Sequence, residues 1–274
     1  MHITFYGVRG STPSPAESNR RYGGNTSTVV LENGNEDPIV LDLGTGLRMW
    51  GLDLPPGPVR ATALVTHIHW DHIQGLPFFA PIHRAGSRLT IYAPEQDGPL
   101  QEVFDRFMCP PFFPVQYAQL EGDVRFVAVA DADLEINSAK VKVRPVPHVG
   151  PTVGYRIDWA GASVAYISDH QAPLALDAVP DAVLELCDGV DLLIHDAQFT
   201  PDEFVAKSTW GHCTMEYALL VARLSSARRL CLFHHDPSHS DDDLDALHDE
   251  LRALSHGDGP REIIGAREGL HIQL

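Results

Sequence analysis

Thr66-His67-Ile68-His69-Trp70-Asp71-His72 follows directly on the apolar run Ala61-Thr62-Ala63-Leu64-Val65. A strand ending there delivers His67 and His69 on one side, because strand side chains repeat every second residue. Asp71 and His72 fall in the turn beyond, where they can face the same point. Three imidazoles and a carboxylate thus stand within six residues. Nitrogen and oxygen donors of this kind suit divalent metals of borderline softness. The plain alternative is a His-rich exposed loop, and the downstream sequence weighs against it.

Working outward, three more donors stand just past apolar runs. His148 follows Val141-Lys142-Val143-Arg144-Pro145-Val146-Pro147, Asp169 follows Val164-Ala165-Tyr166-Ile167-Ser168, and His234 follows Leu230-Cys231-Leu232-Phe233. A polar residue at a strand end is where such a sheet presents chemistry. It is also where ordinary turns place Asp, so each residue alone is a weak signal. Their joint occurrence with the first motif strengthens each as a candidate for the further ligands that a two-metal site needs.

Composition bounds the rest. The chain has 274 residues, 44% of them hydrophobic, enough for one large domain over residues 1–274 with a substantial core. No stretch approaches the roughly 18 apolar residues of a membrane span. The start, Met1-His2-Ile3-Thr4-Phe5-Tyr6, lacks the basic and apolar regions of a secretory signal, so a cytoplasmic location is expected. Cys109, Cys187, Cys213 and Cys231 form no Cys-x-x-Cys pair, which argues against a thiolate zinc site and a disulfide scaffold. A net charge of −17 repels polyanions. A phosphate substrate then has to be attracted locally, by bound cations.

Short β-branched runs alternate with turns: Ile3–Tyr6, Thr28–Leu31, Ile39–Leu41, Ala63–Val65, Leu89–Tyr92, Val124–Val127, Val141–Val146, Val153–Ile157, Ser163–Ile167, Leu192–Ile194, Leu230–Phe233 and Leu270–Leu274. Helices are expected over Asp181–Cys187, over Met215–Leu224, and from the capping Ser240 to about Leu254. Two mixed sheets with helices outside fit this pattern. Ala93–Gly122 is less regular. Its Cys109-Pro110-Pro111-Phe112-Phe113-Pro114 reads as a lid over a pocket or as a crossing loop that buries both Phe.

The chain resembles the metallo-β-lactamase-fold hydrolase superfamily, whose His-x-His-x-Asp-His signature is met by His67, His69, Asp71 and His72. The resemblance implies an αββα four-layer sandwich of two mixed sheets. It also implies two divalent ions, zinc first and manganese second. His67, His69 and His148 would hold one ion, Asp71, His72 and His234 the other, and Asp169 would bridge them. His235 is the competitor for the place given to His234. Two stretches are similar to the ribonuclease Z-like phosphodiesterase branch. His195-Asp196-Ala197-Gln198 resembles its His-Glu-Ala-Thr segment, and Gly211-His212-Cys213-Thr214 resembles its Gly-His-Ser-Thr loop. These imply His212 as proton donor to the leaving group and Asp196 as its orienting acid. Asp in place of Glu shortens that side chain by one methylene.

Members of the branch that process transfer RNA carry a long basic arm between two strands. Here only Asp158-Trp159-Ala160-Gly161-Ala162 separates Ile157 from the next strand, room for a hairpin alone. The expected substrate is therefore a small phosphodiester such as a cyclic nucleotide, with long nucleic acid and membrane disfavoured as partners and a homodimer left open. The expected mechanism is attack by a metal-bridging hydroxide, with Asp71 also able to take its proton. Trp70 and Trp210 read either as stacking surfaces or as core. The rival functions are a ribonuclease Z, a thioester or lactone hydrolase, and a non-catalytic metal scaffold. His170 reads as a residue behind the ligands, and His239 as capping-loop surface or, second, as pocket lining. His83, His248, His256 and His271 read as ordinary surface or packing residues.

Overall fold

The strands pair along the two faces that their apolar runs require. A computed structural model describes residues 1–255 and 259–274, so His256 lies outside the described residues. The first sheet holds β1 (His2–Gly7), β2 (Thr28–Glu32), β3 (Ile39–Leu41), β4 (Arg60–Leu64), β5 (Arg88–Pro94) and β6 (Asp123–Val129). The second holds β7 (Ala132–Ile136), β8 (Ala139–Pro145), β9 (Val153–Trp159), β10 (Ala162–Ile167), β11 (Leu192–Asp196), β12 (Arg229–Phe233) and β13 (Glu262–Gly265). The chain then returns to the first sheet as β14 (His271–Gln273), giving the orders β14-β1-β2-β3-β4-β5-β6 and β13-β12-β11-β10-β9-β8-β7. Each sheet is antiparallel in one half and parallel in the other: β3 to β6 run parallel, as do β10 to β13.

Strand alternation divides the side chains between layers. Val29, Leu31, Leu64, Val164, Tyr166 and Phe233 face the space between the sheets. Their neighbours face outward. Val30 and Ala63 meet α1 (Gly46–Asp53), while Ala165 and Leu232 meet the layer that contains α4 (Asp181–Cys187), α6 (Met215–Leu224) and α7 (Asp241–Leu254). This is the αββα sandwich. Burial on both faces explains why these strands read as nearly continuous apolar runs.

The remaining helices are α2 (Trp70–Ile73), α3 (Leu100–Phe107) and α5 (Pro201–Lys207). Two expectations are corrected here. β4 stops at Leu64, so His67 and His69 sit on an extended loop rather than on a strand, and Asp71 and His72 lie in α2, not in a turn. The Cys109–Pro114 segment does not bury both Phe: Phe112 is 84% exposed, and Phe113 meets Phe78 edge-on with ring centroids 5.7 Å apart. Three prolines fix the backbone of this run and bar it from helix or central strand, so it crosses the surface as a turn. No helix among the described residues is long and apolar enough to cross a membrane. The hairpin between β9 and β10 turns through Ala160 and Gly161, both at positive φ, the tight turn that a two-residue connection requires.

Candidate metal centre

One end of the sandwich gathers the carboxyl ends of β4, β8, β10, β11 and β12. His67, His148, Asp169, Asp196 and His234 stand on or just past those ends. All seven proposed ligands converge there in two nests. In the first, Nε2 of His67 lies 2.9 Å from Nδ1 of His69, and Nε2 of His148 lies 3.3 Å from the same atom. Oδ2 of Asp169 is 3.8 Å from Nε2 of His67 and 3.9 Å from Nε2 of His148. In the second, Nε2 of His72 and Nε2 of His234 are 3.3 Å apart. Oδ2 of Asp71 is 3.2 Å from the former and 3.1 Å from the latter. Oδ1 of Asp169 completes that nest at 3.2 and 3.4 Å from the two imidazoles.

The backs of the rings fix which nitrogen faces inward. Nδ1 of His72 donates to Oδ2 of Asp42 at 2.8 Å, Nδ1 of His148 donates to the Gly211 carbonyl at 2.7 Å, and Nδ1 of His234 donates to Oε1 of Gln198 at 2.9 Å. Those partners only accept, so in the neutral rings each Nε2 carries a lone pair directed into the nests. Acceptors therefore face acceptors, with two carboxylates among them. Oδ1 of Asp169 is buried without a well-aligned hydrogen bond. Such a site is short of positive charge, and divalent cations fit it. Each nest includes three side chains whose donor atoms lie mutually close enough to share an ion.

The same shortage shapes the protonation of these side chains. Burial works against a charged His72, but Asp71, Asp169 and Asp42 outweigh it and hold its pKa well above the usual value. Burial raises the Asp71 and Asp169 carboxyls, and the surrounding imidazoles overcome this and hold both well below the usual range. Burial keeps His67, His69 and His148 below the ordinary histidine value, which leaves their nitrogens free to bind a cation.

His212 borders the same cleft. Its Nδ1 lies 3.1 Å from Oδ2 of Asp196 and 3.6 Å from Oδ2 of Asp169. Burial disfavours its charged form, yet Asp196 prevails and raises its pKa. The shorter Asp side chain therefore still reaches. Asp196 is fixed in turn by the amides of His170 and Gln198, both at 3.0 Å. Cys213 donates its S–H to the Asp196 carbonyl at 3.2 Å, and burial keeps that thiol protonated.

Sequence reasoning missed several supports. Asp42 takes bonds from Thr66, His72 and Tyr166. Gln198 holds His234, and the Ser11 amide donates to Oδ2 of Asp71 at 2.7 Å. Ser11, Asp42 and His234 all sit at positive φ near 60°, a costly conformation for residues with a Cβ. His239 is not surface: it is 8% exposed and meets Glu203 at 3.0 Å, because α5 covers it. His248 is buried, while His83 and His271 are exposed. His170 packs behind the nests against His195 at 3.1 Å.

The cleft has a volume of about 520 Å³ and is lined by Ser11, Ile68, His69, Trp70, Asp71, Asp169, Trp210 and His212. A larger surface hollow of about 650 Å³ beside Arg228 and Arg261 contains none of the metal-capable clusters found among the described residues.

The layered fold with a His/Asp donor set at the strand ends defines a hydrolase of the metallo-β-lactamase fold. The family model described as the beta-lactamase superfamily domain matches residues 39–235, and the chain belongs to that family. It is similar to a ribonuclease Z of Natronomonas pharaonis, at 24% identity over 282 residues, covering 85% of this chain and 86% of that protein. Among solved structures it is similar to the metallo-beta-lactamase fold protein YhfI from Bacillus subtilis, with a TM-score of 0.75 and 19% identity over 99% and 98% of the two chains. A diphosphatase from the PhnP family matches with a TM-score of 0.72 and 21% identity over 100% and 97%.

Proposed function

We propose that this protein is a two-metal phosphodiesterase acting on a small phosphodiester such as a cyclic nucleotide. His67, His69 and His148 would hold one ion, Asp71, His72 and His234 the other, with Asp169 shared. Zinc is the first candidate and manganese the second, given the nitrogen-rich donor set. Bound there, the ions supply a water-derived nucleophile at neutral pH and neutralise phosphate oxygens.

The chain's own groups do the rest. Asp42, Gln198 and the Gly211 carbonyl orient His72, His234 and His148 from behind. The Ser11 amide fixes Asp71. Oδ2 of Asp71 lies 3.2 and 3.1 Å from Nε2 of His72 and His234, so the first role of Asp71 is to hold an ion with them. His212 holds a proton, with Nδ1 tied to Asp196, and its ring borders the cleft. The proton on its Nε2, not the one that Nδ1 shares with Asp196, would go to the departing alkoxide oxygen.

The His212–Asp196 contact beside Asp169 carries this reading, because a scaffold that only binds metal needs no imidazole–carboxylate pair at its mouth. The decisive test compares leaving groups. In the zinc-loaded protein, His212→Ala keeps its metal and loses roughly 10²–10⁴-fold in kcat on an alkyl phosphodiester. The loss on a nitrophenyl ester is far smaller, because that group departs without a proton. Equal losses on both remove His212 from the acid role.

A second reading, a ribonuclease Z, is favoured by the relatives of that name. The two-residue β9–β10 turn and the net charge of −17 weigh against a large polyanion. Cleavage of a transfer-RNA precursor by the purified protein, with cyclic nucleotides untouched, would reverse the preference.

A further inference from the structure

The chain has four tryptophans, and they divide sharply. Trp50 and Trp159 are buried at 2% and 1% exposure, while Trp70 and Trp210 stand 75% and 61% exposed. Both exposed rings border the same cleft, together with His69, Asp71, Asp169 and His212. Leaving two indoles in water at one place forgoes their burial, and an exposed aromatic pair at a polar pocket marks a binding surface. Trp70 opens α2 between His69 and Asp71, so its backbone is fixed by the ligand loop. Trp210 is braced from its own side. Nζ of Lys207 lies 5.8 Å from the centre of its ring and 4.8 Å from that of Phe199, and is tethered to Oδ2 of Asp236 at 3.3 Å.

We infer that Trp70 and Trp210 form a base-binding subsite beside the metal centre, so that the substrate's phosphodiester carries a nucleobase. This rests on the phosphodiesterase reading above. The cleft volume of about 520 Å³ falls in the range of small-ligand sites. The chain's negative charge leaves little general attraction for an anion beyond the metals. Stacking on an indole face supplies affinity without charge, and it tolerates any base. The rings thus select for an aromatic group rather than for phosphate alone.

The test uses adenosine 5′-monophosphate and ribose 5-phosphate, which share the sugar phosphate and differ in the base. Binding to the zinc-loaded protein is read by tryptophan fluorescence and by competition against bis(nitrophenyl) phosphate. The nucleotide is expected to bind roughly ten-fold or more tightly than the sugar phosphate and to quench the fluorescence. Trp210→Ala and Trp70→Ala each remove most of that preference while ribose 5-phosphate affinity and metal content stay unchanged. Phe at either position restores much of it. Equal binding of the two probes, or variants that weaken both alike, overturns the subsite. Nucleotide binding that depends on the rings in a protein that hydrolyses no phosphodiester keeps the subsite and instead overturns the phosphodiesterase reading.

Discussion

His234 and His235 are neighbours in the chain and belong to different worlds. At His234 the backbone takes a left-handed turn, with φ at 59°. His234 enters the cleft, while His235 goes to a closed cluster with Tyr22, His248 and Arg9. There, Nε2 of His235 donates to the Ala266 carbonyl at 2.8 Å, and its ring meets the Tyr22 ring edge-on at 5.5 Å. Nδ1 of His248 pairs with the Tyr22 hydroxyl at 3.1 Å. Arg9 donates to the carbonyls of Gly23, Asp236 and His239. Both clusters are rich in buried imidazoles, so neither burial nor histidine count separates them. What the carboxylates meet does. Asp71 and Asp169 face the rings of the cleft, whereas in the closed cluster Asp241 lies 3.8 Å from the Arg9 guanidinium and Asp245 accepts from the Tyr22 hydroxyl at 2.9 Å. The first arrangement lacks positive charge and the second does not.

The largest effect that tests this contrast is loss of the shared carboxylate. Asp169→Ala should drop metal content from roughly two ions per chain to one or none and bring hydrolysis to background. The rise in melting temperature on adding zinc, which reports binding to the folded state, should vanish with it. His235→Gln should leave metal content and that rise intact. Elemental analysis and thermal scans of the two variants check this. Equal metal loss in both would dissolve the distinction between the clusters.

A smaller effect belongs to Asp42, which touches no proposed ion position but holds Nδ1 of His72. Asp42→Asn keeps the shape and replaces a strong acceptor with a weaker one. Metal affinity in the nest of Asp71, His72 and His234 should fall roughly 10–100-fold. The nest of His67, His69 and His148 should keep its affinity. Stepwise chelator titration separates the two, and a single uniform loss would mean that Asp42 supports the fold rather than one ligand.

Local and distant determinants differ in how plainly the chain shows them. His67 to His72 were legible because their donors are local, and His148, Asp169 and His234 because apolar runs announce strand ends. Asp42, Ser11 and Gln198 were not, since they act through partners 30 to 60 residues away in the chain. The continuous β-branched strands were legible for the reason that both their faces are buried. β7 and β13 escaped notice because charged residues interrupt one and β13 is short; α1 carries Gly46 and Gly51, poor helix formers. α5 was within reach, as Thr200-Pro201-Asp202-Glu203 has the spacing of a capping box, and the structure forms it. Strand order was out of reach, because a pairing such as His2 with Gln273 joins the two ends of the chain.

The smallest effect falls on stability alone, in the closed cluster. Burial, with Arg252 adding to it, pushes the His248 pKa from 6.5 down to about 4. The unfolded chain therefore takes up a proton as pH falls below 6.5, while the folded chain resists until near 4. Stability is complete above the unfolded value and is lost as pH falls through that window. The shift corresponds to about 3 kcal/mol at most. His248→Gln, which keeps a group able to bond the Tyr22 hydroxyl, should flatten the fall in denaturation midpoint between pH 6.5 and 4. Zinc content at pH 7 should not move, since His248 sits with His235 and not with His234. An unchanged pH dependence would place the acid sensitivity in the cleft, where protons compete with metal for His67, His69 and His148, and the closed cluster would then be plain packing.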